Sequence, residues 1–223
     1  MKKLLALLTT AAAVTMAVAP AQATVIVPGS MGLIFDPFIP ATQGSQIAFT
    51  SVPGTARTFA ATLRSAVYRN TLGTLDFYYQ VARTGPGSLA DQQIDILTAS
   101  NFAGFSVDGF VSAADPDGGG AFTAVNNPGT STTTVGRSPD GQVLQTFFSP
   151  NGLIGTENSA TYIFRTNATL FTTGTFGLIN GSTFDGLAFA PTVPEPATWG
   201  MMILGFGLVG GVLRRRKEVV AYA

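Results

Sequence analysis

The chain contains no His and no Cys. That removes the Ser-His-Asp triad, the commonest general base, thiol chemistry and the usual zinc ligands together. Carboxylate chemistry remains. Between residues 24 and 192 lie Glu157 and nine aspartates: Asp36, Asp76, Asp91, Asp95, Asp108, Asp115, Asp117, Asp140 and Asp185. Two carboxylates flanking a glycosidic bond are the equipment of a glycoside hydrolase, one as acid and one as base or nucleophile. Most of these aspartates sit beside Gly or Pro, where Asp serves a turn. Asp76, Asp95, Asp108 and Asp185 fall inside candidate strands, and no two of them stand out as a pair. Asp76 is expected on a polar strand face as a solvated side chain. Asp115-Pro-Asp117-Gly-Gly-Gly120 offers carboxylates in a tight turn, as a hard cation such as calcium requires, yet lacks the further ligands and bidentate Glu of an EF-hand loop. It reads first as an Asp/Gly turn. No catalytic, metal or cofactor residue is assigned.

Aromatic side chains are the other chemical resource. Tyr68, Tyr78, Tyr79 and Tyr162, with many Phe, could stack on sugar rings. Tyr78 is the best single candidate, being aromatic on an otherwise polar strand face, and the competing reading makes it a cross-strand packing partner. No Gly-rich loop opens a helix after a strand, so a nucleotide lacks its cradle. Asn167-Ala-Thr169 and Asn180-Gly-Ser182 match the glycosylation pattern at a frequency expected by chance.

The elements that must position these residues are strands. Phe59, Ala61, Leu63, Ser65 and Val67 alternate with Thr58, Thr62 and Arg64. After Asn70-Thr-Leu-Gly73, Leu75, Phe77, Tyr79 and Val81 alternate with Thr74, Asp76, Tyr78 and Gln80. Two period-2 runs around an Asn/Gly turn predict an antiparallel hairpin. Further candidate strands are 46–52, 93–98, 105–111, 132–137, 143–148, 160–166, 175–179 and 184–189. Gly/Pro clusters at 52–54, 85–87, 115–120, 126–129, 138–141 and 149–152 punctuate them. The only hint of a helical turn in this region is near 88–92. About ten strands predict an all-β domain over 24–190, an antiparallel β-sandwich of jelly-roll-like kind. Pro191-Thr192 reads as a short linker from this domain to the C-terminal segment.

Both ends of the chain read as signals. Lys2 and Lys3 precede an apolar run from Leu4 to Val18, and Ala21-Gln22-Ala23 supplies a small-x-small cleavage site. Residues 1–23 therefore read as a signal peptide, with the mature chain starting at Thr24. At the other end, Val193-Pro-Glu-Pro-Ala-Thr-Trp-Gly200 leads into an apolar run and then Arg214, Arg215, Arg216 and Lys217. Trp199 suits a membrane interface, and a basic cluster after an apolar run marks the cytoplasmic side. The 15 residues from Trp199 to Leu213 would rise about 22 Å as a helix. That is short for a hydrocarbon core of about 30 Å. Five glycines lower its helix propensity further. Extended to Ala197, with snorkelling arginines, it is a marginal transmembrane helix.

With the basic residues of the two ends and Glu195 and Glu218 set aside, residues 24–192 hold six basic and ten acidic side chains. A dispersed net charge of −4 gives no footprint for nucleic acid.

The tail, residues 191–223, resembles the PEP-CTERM sorting signal of Gram-negative bacteria, in its Pro-Glu-Pro-x-x-Trp variety. Pro194, Glu195, Pro196 and Trp199 stand at the signature positions, followed by the apolar stretch 199–213 and the basic stop 214–217; Gly200 replaces a frequent Ala. The resemblance implies an exported protein that is the substrate of an exosortase, a multi-pass membrane enzyme that removes such tails at or near the motif. It implies passage through the inner membrane, a transient anchor there, and a final place at the cell surface or in an exopolysaccharide or biofilm matrix. The expectation for 24–190 is a non-enzymatic surface or matrix domain, with polysaccharide as a candidate ligand. The alternative is a secreted carbohydrate-active hydrolase using paired Asp residues.

Overall fold

The computed structural model describes residues 23–126, 133–148, 151–193 and 198–216. The predicted hairpin is its centre. Strand β4 (Ser45–Thr55) pairs with β5 (Phe59–Arg69), and β5 pairs with β6 (Leu75–Pro86). The β5–β6 turn is set by Asn70, whose Oδ1 accepts the N–H groups of Leu72 and Thr74, and by Gly73 at φ 84°. A side chain would be strained at that φ, so the residue types dictate the turn.

Three two-residue strands, β1 (Thr24–Val25), β2 (Leu33–Ile34) and β3 (Asp36–Pro37), precede this meander. After it come β7 (Ile96–Ala99), β8 (Val107–Ser112), β9 (Thr134–Arg137), β10 (Leu144–Phe147), β11 (Thr161–Thr166), β12 (Leu170–Ile179) and β13 (Thr183–Thr192). They form a seven-stranded sheet in the order β1-β8-β11-β6-β5-β4, with β3 also on β8, and a six-stranded sheet in the order β13-β12-β7-β10-β9-β2. All pairs are antiparallel except β3 with β8. The two sheets enclose one apolar core, with Phe59, Leu63, Phe77 and Tyr79 from the first and Leu97, Val135, Leu144, Phe176 and Leu178 from the second. Burying each such side chain stabilises the fold by about 1.5–3 kcal/mol, against ~0–1 kcal/mol for an exposed ion pair. Apolar packing therefore holds the two sheets together.

The fold is an antiparallel β-sandwich: consecutive strands are sheet neighbours in β4-β5-β6, β9-β10 and β12-β13, and elsewhere the chain crosses over between non-consecutive neighbours, as in β8-β11-β6 and β12-β7-β10. Two expectations change. Residues 88–92 form no helix; the short 3-10 turn lies at Pro40–Thr42. Strand β13 runs through Pro191 and Thr192, so the residues read as a linker belong to the sheet. The predicted turn at 126–129 and the strand start at 132 fall largely outside the described residues, as does part of the turn at 149–152.

The inner sheet faces approach closely at glycines. A Cβ on Gly54 would strike the ring of Phe184, and one on Gly186 would meet Leu63 Cδ1 at 2.8 Å. Helix α1 spans Thr198–Arg216, and its residues 200–214 are all exposed. Among the described residues no helix is long and apolar enough to cross a membrane. Five glycines and three terminal arginines dilute its 19 residues.

Candidate functional site

The polar face of the central hairpin is not solvated. Strand β6 is buried on both faces from Leu75 to Arg83. Its outward face carries a second cluster of Ala66, Tyr68, Tyr78, Phe110, Phe122 and Ile163, with Ala23, Phe38 and Ala121 packed against it. The segment 113–126 lies over this face. Gln80 fastens it through Nε2 to Thr123 O (2.6 Å) while its Oε1 accepts the Thr123 N–H (3.0 Å), and Arg64 donates to Thr123 Oγ1 (2.9 Å).

Strand register then lines up one row across six strands: Gln46, Tyr68, Asp76, Arg165, Asp108 and Val25. Asp76 is fully buried, which corrects the expectation of a solvated side chain. Arg165 grips it, Nε at 3.2 Å from both carboxylate oxygens and Nη2 at 3.0 Å from Oδ2. Asn70 Nδ2 donates to Oδ1 at 2.7 Å. Burial raises the Asp76 carboxyl above its ordinary range, against the pull of Arg165 and Asn70. Arg165 also lies 5.2 Å over the Phe110 ring. Asp108, its neighbour on the other side, is likewise raised by burial, with Arg165 opposing.

Tyr78 is fully buried between Tyr68 (ring centroids 4.3 Å apart), Phe122 (5.9 Å) and Phe38 (5.8 Å). A sugar cannot reach it, so the stacking role is withdrawn and the packing role stands. Its hydroxyl has no hydrogen-bond partner among the described residues, and burial pushes its ionisation upward. Tyr68, Tyr79 and Tyr162 are buried too.

The remaining carboxylates serve local structure. Tyr68 Oη donates to Asp117 Oδ2, and Asp117 Oδ1 accepts the Gly119 N–H at 2.8 Å. Although burial acts the other way, these bonds hold the Asp117 carboxyl below its ordinary range. Asp115 accepts the Gly120 N–H at 2.8 Å. Asp91 pairs with Arg83, Glu157 accepts the Ile154 N–H at 2.8 Å, and Asp36 accepts from Thr24 Oγ1 at 2.9 Å. The Asp115–Gly120 loop is therefore an Asx turn at Asp117, closed by the longer Asp115–Gly120 bond and docked on Tyr68. Among the described residues no three His, Cys, Asp or Glu side chains gather where a metal ion could sit. A groove of about 430 Å³ beside β3 is lined by Phe35, Pro37, Phe38 and 111–114, without a titratable group.

Two arginines, half-buried Arg165 and buried Arg137, escaped the sequence reading. Arg165 is the only charged residue of β11, a signal that was there to use. Arg137 is buried and donates to four backbone carbonyls: Ile26 at 3.0 Å, Phe102 at 2.6 Å, Phe105 at 2.9 Å and Gly141 at 3.0 Å. Burial lowers its ionisation from the usual arginine value.

Of the signal residues, Ala21, Pro194, Glu195, Pro196 and Lys217 lie outside the described residues. Ala23 packs on the second cluster. Trp199, Arg214, Arg215 and Arg216 belong to α1, with Arg214 exposed. The segment holding them begins at the end of β13. A family model described as the PEP-CTERM protein-sorting motif matches residues 192–217. No curated protein and no solved structure matches the chain.

Proposed function

We propose that this chain, which carries a PEP-CTERM protein-sorting motif at residues 192–217, is an exported, non-enzymatic surface or matrix protein and the substrate of an exosortase. The motif is the observation that carries this reading. Residues 1–23 act as the export signal, cut after Ala23. Helix α1 then holds the chain at the inner membrane, its short apolar part extended by snorkelling of Arg214–Arg216. Arg214, Arg215, Arg216 and Lys217 keep that end in the cytoplasm. Pro194 and Pro196 fix φ and disfavour helix in the residues before them, so Glu195 is presented in an extended segment to the processing enzyme.

The domain supports a binding or structural part more than a catalytic one. Its most buried carboxylate is committed to Arg165 and Asn70, and the groove beside β3 lacks an acid or base. The matrix setting makes polysaccharide the ligand class to try first. Hydrolysis by paired aspartates is the competing reading, and a screen for reducing ends released by the wild type and lost on Asp→Asn substitution would establish it.

The test of sorting replaces Pro194, Glu195 and Pro196 by Ala and follows intact mass and cell fractionation. The variant should be exported and remain in the membrane with its tail attached. Tail loss and wild-type distribution in this variant would overturn the reading.

A further inference from the structure

The end of the sandwich from which the tail departs differs from the opposite end. Strand β13 climbs alongside β4 and β5: Phe184 meets Gly54, Gly186 meets Leu63, and the Phe189 N–H donates to Ser65 Oγ at 3.2 Å. Thr192 thus ends at the level of the β5–β6 turn, opposite Leu170 at the start of β12. The β1–β2 connection reaches the same end, where Gly29 N–H donates to Arg137 O at 3.1 Å and Arg137 N–H donates to Ser30 O at 2.8 Å.

Several apolar side chains are exposed at this end. Leu72 at the hairpin tip is 77% exposed and Met31 is 68% exposed, with Val27, Leu170 and Val193 also exposed. Arg69 stands beside Leu72 and is held by the Gly73 carbonyl at 3.1 Å. Asp140 is the acidic exception, its carboxylate engaged by the Ser138 hydroxyl at 2.5 Å and the Gln142 N–H at 3.0 Å. The opposite end exposes Leu89 and Ile154, but there Asp91 and Glu157 accompany them. Single exposed apolar residues, such as Ile34 and Leu187 on the strands, are ordinary on a soluble surface. Leu72, Met31, Val27 and Leu170 share one end, and that end is tethered. Residues 193–197 alone separate β13 from α1, a span of at most about 20 Å when fully extended. The headgroup layer takes up roughly 5–7 Å of it.

We propose that this end is a membrane-facing surface, and that Leu72 and Met31 insert into the headgroup layer of a phospholipid bilayer while the chain is anchored. The proposal rests on α1 being held in the membrane. Arg137 gives it rigidity, because its four carbonyl contacts fix the β1–β2 connection and the 102–105 and 138–141 loops against one another. The sandwich is then oriented with β4 and the second cluster lateral to the membrane, and the 88–92 and 153–157 loops farthest from it.

The chain has no cysteine, so single labels can be placed freely. Full-length L72C, L89C and L208C chains, each carrying an environment-sensitive fluorophore, are reconstituted into vesicles of phosphatidylethanolamine and phosphatidylglycerol. Iodide in the aqueous phase is the quencher. The labels at 208 and 72 should be blue-shifted and several-fold less accessible to iodide than the label at 89. Protection at 208 with equal quenching at 72 and 89 overturns the membrane-facing surface and leaves the anchored reading intact. Free quenching at all three positions removes the anchor, and the proposal with it. Protection at 72 that disappears when the protein is diluted in lipid marks contact with a second copy, and also overturns the proposal.

Discussion

The outer face of the seven-stranded sheet and the C-terminal helix are opposite in kind. On the sheet face, Asp76, Arg165, Gln80 and Tyr68 are bonded to partners distant in sequence. On the helix, residues 200–214 are all exposed. A side chain committed to its neighbours stabilises the fold and has little left for a ligand; a side chain with no partner in its own chain awaits one outside it. The polar residues of the domain therefore report on stability, and the apolar residues of the tail report on destination. Substitutions should separate along the same line.

The largest loss should follow Asp76→Ala. It leaves Arg165, whose side chain is only 17% exposed, without its carboxylate. Removing one partner of a buried pair costs about 3–5 kcal/mol, and partial exposure of Arg165 places this case near ~3 kcal/mol. Chemical denaturation should show the drop. Replacing Arg214, Arg215, Arg216 and Lys217 together by Ser should leave the domain's midpoint unchanged while weakening membrane retention. Equal effects of both changes on the domain would erase the distinction between the two regions.

Gly54→Ala comes next. Its Cβ would strike the Phe184 ring, and overpacking of this kind costs about 1–3 kcal/mol. Adding Phe184→Leu should recover part of the loss, a coupling that denaturation of the single and double variants measures. Tyr78→Phe should go the other way. The buried hydroxyl, without a partner among the described residues, is desolvated for no return, so its removal should be neutral or stabilising by about 1 kcal/mol. A clear destabilisation would reveal a bond to Tyr78 Oη.

These sites show which parts of the molecule were legible in sequence. Alternation in 59–81 locates β5, β6 and their turn, because one face of each strand meets the apolar core. The same alternation made Asp76 look solvated and put Tyr78 on an open polar face, since period 2 records polarity and not coverage. Asp76 is enclosed by Arg165 and Asn70, and Tyr78 is covered by Phe38 and by 113–126, a segment around Asp115-Pro-Asp117-Gly118-Gly119-Gly120 with no period of its own. Its attachment runs through pairs as distant as Tyr68 with Asp117 and Gln80 with Thr123. The bulk of Tyr68, Tyr78 and Gln80 on one sheet face was the available hint. The sorting motif was readable because recognition by a processing enzyme uses residues contiguous in the chain. Coverage of a sheet uses residues that only folding brings together.

The smallest effect compares the covered sheet face with an open turn of the same domain through pH. Burial raises the Asp108 carboxyl in the folded chain, so the folded state holds that proton more tightly than the unfolded one. The stability linked to it is fully present below the unfolded value, about 3.9, and is lost as pH rises through the folded value. At neutral pH the charged form is therefore a burden, and Asp108→Asn should raise the melting temperature slightly. The gain should shrink toward zero as pH falls through the carboxylate range, where Asp108 is neutral in both states. Asp140 supplies the opposite sign. Hydrogen bonds from Ser138 and the Gln142 N–H hold its carboxyl below the ordinary range. Its contribution is present above the unfolded value and lost as pH falls through the folded one, so Asp140→Asn should lower the melting temperature at neutral pH and converge on wild type in acid. Thermal melts of both variants from neutral to acid pH should bracket the wild-type curve from above and below, and two shifts of the same sign would overturn the distinction between a covered and an open carboxylate.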